Sequence, residues 1–302
     1  MIKSQTTRTL RLLSVLLAAI ILLCAALTPK VDAASTASYY ENAVLFWTNV
    51  ERSRHGLSAL RTSSRLVDAA GVRSSELVRS FSHTRPNGSS WKTALTAQNI
   101  NFGSAAENIA SGYSTPCAVV KGWMESDGHR SNMLSSKYTH MAVGRTQSDS
   151  GKNYWCQLFT GGTSYSDSRS YYSVAPTGVT VDKSSIRLSA GSSTTLTGTP
   201  SPVYATSEVT CTSSNSKVVK VTGVEVNQFT IKAVASGTAT LTVKCGSYSK
   251  TVSVTVGTGS SSPSSSSSSS SSGKTSSVYP TITDIVIDIP SFDYLYKVFG
   301  KG

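Results

Sequence analysis

Four histidines stand in the 302-residue chain, and two of them sit in polar, loop-like surroundings with distinctive neighbours. One lies in Phe81-Ser82-His83-Thr84, the other in Ser126-Asp127-Gly128-His129-Arg130-Ser131-Asn132. Between them runs Ala106-Glu107-Asn108-Ile109-Ala110. Imidazole nitrogens and a carboxylate that converge make a site for zinc or another divalent cation. The same groups can serve as general acid and base without a metal. The chain contains no HExxH and no CxxC pair, so only the fold can assemble these groups. His55, beside Gly56, and His140, at the start of an apolar run, read as structural or solvent-facing.

The elements that must position these groups follow from periodicity. Val44, Trp47, Val50 and Arg54 recur at helical spacing until Gly56 stops the helix. Leu66, Ala69, Ala70, Val72, Leu77 and Val78 predict a second helix, interrupted only by Gly71. A short helix is expected from Trp91 to Gln98, and a fourth behind Thr115 as N-cap with Pro116 in its first turn. Met141 to Val143 and Tyr154 to Phe159 read as strands joined by a polar turn. Helices followed by a late sheet make residues 39–162 an α+β layered domain. After a linker over 163–178, residues 179–256 turn rich in Thr, Ser and Val with alternating apolar positions. Glycines punctuate them, the pattern of a small all-β sandwich. Residues 257–277 form a Ser-rich linker that cannot build a core. The apolar tail 278–302 reads either as a docking strand for wall, membrane or partner, or as a strand folding back on the sandwich.

The first 33 residues read as a secretory signal. Lys3, Arg8 and Arg11 precede an apolar run over 12–27, and Val31-Asp32-Ala33 supplies small residues at a cleavage site. That run of about 16 residues is shorter than the roughly 20 that cross a bilayer. Export makes the chain secreted or displayed at the cell surface. Loss of four basic residues and Asp32 takes the formal charge from +12 to +9. The remaining basic residues are scattered, without an aromatic-interleaved cluster, so nucleic acid is not an expected partner. A surface suited to anionic envelope polymers or phospholipid is the milder inference. Cleavage also leaves Cys117, Cys156, Cys211 and Cys245. Outside the cytoplasm, pairing within each block, Cys117 with Cys156 and Cys211 with Cys245, is expected; four buried thiols are the alternative.

Several motifs together resemble one family. Phe81-Ser82-His83-Thr84, Glu107-Asn108-Ile109-Ala110 and the run from Trp123 through His129 to Leu134 are similar to the bacterial branch of the CAP superfamily. That superfamily holds the cysteine-rich secretory, antigen 5 and pathogenesis-related proteins. Asn49 to Arg52, Gly56 to Leu60 and the strand 154–159 match it too. The resemblance implies a CAP-type α-β-α sandwich with an open cleft holding a His/Glu/Glu/His tetrad. His83, Glu107 and His129 stand at three tetrad positions and are the expected metal ligands. The fourth position falls on Ser126, with Glu125 one residue earlier and about 100° around a helix. Either residue, or water, would complete the cleft. Asn108 and Asn132 are expected to fix loops rather than touch a ligand.

Residues 179–256 resemble group 2 bacterial immunoglobulin-like domains, through Val179 to Lys183, Leu188 to Gly191, Ser213 to Asn215, Gly237 to Val243 and Val252 to Val256. Such modules display or space surface proteins. The expected function is therefore non-enzymatic: a secreted CAP protein whose cleft binds a metal ion, a lipid, a peptide or an envelope polymer. A metal-assisted hydrolase using His83, Glu107 and His129 is the second reading. A purely structural adhesin or spacer is the third. The CAP fold alone does not supply a reaction, and the sequence does not specify an oligomeric state.

Overall fold

The structure is a computed structural model that describes residues 33–257, with side chains from residue 38. The signal segment, the Ser-rich linker beyond Gly257 and the tail 278–302 lie outside the described residues.

Helix α1 (Ala33–Arg54) buries Ala43, Val44 and Trp47 at helical spacing. Gly56, at φ +70°, takes the left-handed turn beyond its end. Helix α2 (Ser64–Arg79) starts at Ser63, whose hydroxyl accepts the Leu66 N–H at 3.3 Å. Its buried stripe runs through Leu66, Ala69, Ala70, Arg73 and Leu77. The short α3 (Lys92–Ala97) follows, then strand β1 (Ser104–Ser111). Helix α4 (Pro116–Met124) is capped by Thr115, which accepts the Ala118 N–H at 3.2 Å. Helix α5 (Asp127–Met133), β2 (His140–Gln147) and β3 (Asn153–Gly161) complete this part.

The three strands form an antiparallel sheet in the order β1-β3-β2. Because side chains alternate, Ile109, Cys156 and Leu158 meet Leu66, Ala70, Leu77 and Leu95 of α2 and α3 on one face. Ala110, Trp155 and Phe159 meet Trp47, Val120 and Trp123 of α1 and α4 on the other. Helices thus cover both faces. The contact with α2 is close: a Cβ on Gly144 of β2 would lie 2.1 Å from the Ala70 carbonyl oxygen. Two elements differ from the pattern read in the sequence. β1 is a strand although its run of Ser, Ala, Glu and Asn shows no β signal, and the polar stretch around His129 is the helix α5.

Residues 178–257 form two four-stranded sheets. One has the order β4 (Gly178–Val181), β6 (Ser193–Ser201), β9 (Gln228–Ala233), β8 (Val219–Glu225). The other has β5 (Ser185–Ser189), β11 (Tyr248–Gly257), β10 (Gly237–Cys245), β7 (Val209–Ser213). Only β5 and β11 run parallel among these pairs. The sheets face each other so closely that a Cβ on Gly198 of β6 would lie 2.7 Å from Val243 of β10. Alternation places Leu241, Val243, Val252, Val254, Phe229 and Ile231 in the shared interior.

The β8–β9 hairpin tip docks on α1. Val226, a fully buried β-branched residue, is held at φ +52°, a conformation that such residues rarely adopt. Its N–H donates to Glu51 Oε1 at 2.7 Å and its carbonyl accepts from Arg54 at 3.2 Å. Arg54 also reaches Glu208 at 2.5 Å. These bonds hold the strained residue and fix the β sheets against the helical domain.

The expected disulfides are not formed: Cys117, Cys156, Cys211 and Cys245 are all free. Cys117 and Cys156 lie on opposite sides of the β1-β3-β2 sheet. Cys211 stands opposite Val243, while Cys245 stands opposite Val209. That diagonal offset separates Cα atoms by roughly 7–8 Å, beyond the usual span of a disulfide. Burial raises the Cys211 thiol to about 11.

Candidate functional site

The site is built on β1, the edge strand of the helical domain's sheet. Its alternation sends Glu107 toward α2 and Asn108 toward α5. Asn108 Nδ2 donates to the His129 carbonyl at 3.1 Å and to Gln157 Oε1 at 2.9 Å. Its Oδ1 accepts from Asn132 Nδ2 at 2.8 Å. Both asparagines thus fasten α5 to the sheet.

On the other face, Glu107 accepts from Arg73 and His83. Arg73 Nε lies 2.7 Å from Glu107 Oε1, and His83 Nδ1 lies 2.7 Å from Glu107 Oε2. The Arg73 and Glu107 side chains are both 0% exposed. Arg73 continues to Glu76 at 2.7 Å and to the Ser82 carbonyl at 2.8 Å. Glu76 in turn accepts from Arg85 at 2.6 Å. The loop carrying His83 is therefore tied down on both sides, by Ser82 and by Arg85. Charges alternate along Glu107, Arg73, Glu76 and Arg85, so each buried charge has an opposite neighbour. Burial pushes the Glu76 carboxyl up, but hydrogen bonds from Arg85 and Arg73 outweigh it and hold it below its ordinary value. Burial likewise works against the Arg73 cation, but the hydrogen bonds and charge of Glu107 together with the bond to Glu76 outweigh it and hold the guanidinium above its ordinary value.

A carboxylate accepts hydrogen bonds and cannot donate them, so His83 Nδ1 carries the proton in this pair. His83 Nε2 is then a lone pair in the neutral ring, and it is buried with no hydrogen-bond partner among the described residues. The imidazole is oriented by a carboxylate on its other nitrogen. Cys156 donates to Glu107 at 3.5 Å. Burial first and then Glu107 push its thiol well above the ordinary range, so it is not a nucleophile at neutral pH.

The structure brings His83 and Glu107 together but does not assemble the expected metal set of His83, Glu107 and His129. Among the described residues, no group of three or more His, Cys, Asp or Glu side chains is placed to hold a metal ion. Arg73 already compensates the Glu107 carboxylate with a buried guanidinium. His129 is buried on α5. Glu125 turns away to pair with Lys121 on the surface of α4. Ser126 precedes α5 as its N-cap without a side-chain capping bond. His140 bonds Ser168 at 2.7 Å, and His55 is exposed at the end of α1.

Sequence reasoning missed Arg73, Glu76 and Arg85. The signal for Arg73 was present: a charged residue on the core-facing stripe of α2, four residues before Leu77, requires a buried partner.

A family model described as the cysteine-rich secretory protein family, CAP, matches residues 46–159. The uncharacterized protein YkwD of Bacillus subtilis (strain 168) is 38% identical over 132 residues, 43% of this chain and 50% of that protein. The uncharacterized membrane protein YlbC of the same strain is 38% identical over 106 residues, 34% of this chain and 31% of that one. This chain thus spans half or less of the length of these curated relatives. A solved extracellular protein containing an SCP domain, from Bacillus anthracis str. Ames, is 29% identical. The match covers 45% of this chain and 44% of that one, with a TM-score of 0.39. Residues 46–159 thus match the CAP family model, and over that segment the chain is similar to these relatives.

Proposed function

We propose that this chain is an exported recognition protein whose CAP cleft binds a small ligand without a metal, with an immunoglobulin-like β domain as its display module. The observation that carries the reading is the buried, unpartnered Nε2 of His83, backed by Glu107 and Arg73. A lone pair held in place by two buried ion-pair partners accepts a hydrogen bond with little loss of side-chain entropy. It selects a ligand that offers an O–H or N–H. The signal-like first 33 residues support export, and the two facing four-stranded sheets support the immunoglobulin-like reading.

The test is a long-range proton–nitrogen NMR spectrum of the mature chain, from Ser35 onward, titrated with dodecanol and with acetyl-trialanine amide. The expected result is a saturable shift of the His83 Nε2 resonance with one of these donors. Insensitivity of that resonance to both overturns the reading.

The same geometry favours a second reading, because an imidazole oriented by a carboxylate is how a general base is held. In that case His83 activates water for hydrolysis. Casein or cell-wall cleavage by the wild type that is lost in His83→Ala would select it.

A further inference from the structure

A cavity of about 540 Å³ lies where the CAP domain meets the β sheets, lined from both sides. It shares no lining residue with the His83–Glu107 pair. One wall is the face of α4 carrying Ala118, Lys121, Gly122 and Glu125, residues spaced to lie in one row. The other wall is the outward face of β4 and β6, with Thr180, Thr197 and Thr199. We infer that this interdomain cavity is a binding site for a neutral oligosaccharide.

Its volume lies in the range of small-molecule sites, roughly 300–1,000 Å³, and such sites concentrate where domains meet. The hollow is built rather than left over. Ala118 and Gly122 keep the α4 wall low. A Cβ on Gly122 would lie 2.2 Å from Tyr113 Oη, so glycine, unfavourable within a helix, makes room for the Tyr113 ring at the cavity edge. The Glu51, Arg54, Glu208 and Val226 contacts fix the two walls relative to each other.

The lining sets the ligand class. Lys121 pairs with Glu125, and Asp182, the other charged lining residue, is engaged by Lys183 at 2.8 Å and by the Thr197 N–H at 2.7 Å. The lining offers no unpaired cation, which disfavours a phosphate or a carboxylate as the ligand. Threonine hydroxyls both donate and accept, as sugar hydroxyls do, and Gln228 adds an amide. The threonine methyl groups and the Tyr113 ring supply flat apolar patches that suit the C–H faces of a pyranose.

Calorimetry on the mature chain with chitohexaose, cellohexaose and acetyl-(Gly-Ser)3-amide tests the assignment. Saturable binding of at least one sugar and none of the peptide is expected. Thr199→Val, nearly isosteric, should weaken sugar binding about tenfold through one lost hydrogen bond. Ala118→Trp, which fills the hollow, should abolish it, with circular dichroism verifying that each variant is folded. The assignment is overturned if neither sugar binds at millimolar concentration, if the peptide binds as tightly as the sugars, or if both variants bind like the wild type.

Discussion

Replacing Arg73 with methionine removes the cation on which the CAP site rests while keeping an unbranched, helix-compatible side chain. In the wild type the guanidinium touches Glu107 at 2.7 Å, Glu76 at 2.7 Å and the Ser82 carbonyl at 2.8 Å, all in the interior. Arg73→Met leaves the buried Glu107 side chain with only the His83 ring and the Cys156 thiol as neighbours at bonding distance among the described residues, and no permanent cation. Breaking a buried pair from one side costs about 3–5 kcal/mol. For a chain of this size that lowers Tm by roughly 6–20 °C. Such a carboxylate escapes the penalty by taking up a proton, so the deficit is larger at pH 8 than at pH 5. Urea unfolding followed by tryptophan fluorescence at both pH values measures it. Arg169→Met, at an ion pair half-exposed on the arginine side, is the control and should cost less than about 1 kcal/mol. A loss at pH 8 as small as the control's would refute the role assigned to Arg73. A wild-type Tm that rises with zinc, and no longer does so in His83→Ala, would refute the metal-free reading proposed for the cleft.

Two further outcomes follow from particular contacts. Gly144→Ala drives a Cβ to within 2.1 Å of the Ala70 carbonyl. Since backbone cannot yield as a side chain can, thermal unfolding should show a loss of about 1–3 kcal/mol or more. Burial, only partly opposed by Arg145, raises the Glu41 carboxyl from 4.5 to about 7. A raised folded-state value means stability that is present in full below pH 4.5 and lost as pH rises through 7. Glu41→Gln should therefore gain up to about 3 kcal/mol at pH 8 and nothing at pH 4, read from paired urea melts.

The fold was legible where local chemistry and tertiary packing agree. Thr115 with Pro116 marks a helix start in the sequence and caps it in the structure. β10 from Ala239 and β11 from Val252 alternate apolar and polar residues, and the apolar ones are buried. β1 was not legible because most of it is buried on both faces, leaving no polar–apolar alternation, and its alanines and serines carry little β preference. α5 was hidden because seven residues with Gly128 at their start have weak intrinsic helicity; the bond from Asn108 to the His129 carbonyl supplies what the sequence lacks. Cysteine count suggested bridges, yet pairing depends on sheet face and register. Cys117 against Cys156 fails on the first, and Cys211 against Cys245 on the second.

The site shows a different limit. Family motifs point to His83 and Glu107, and the structure sets these two side chains 2.7 Å apart. What those neighbours can do is decided by α2, whose stripe delivers Arg73 to the carboxylate from the opposite layer. With a buried guanidinium on its other oxygen, the carboxylate of the His–Glu pair is already compensated, which supports the metal-free reading proposed for the cleft. A charged residue at a core-facing helical position is thus the most informative feature outside the motifs. Burial forces it to have a partner, and the chemistry of a nearby site changes with the partner it takes.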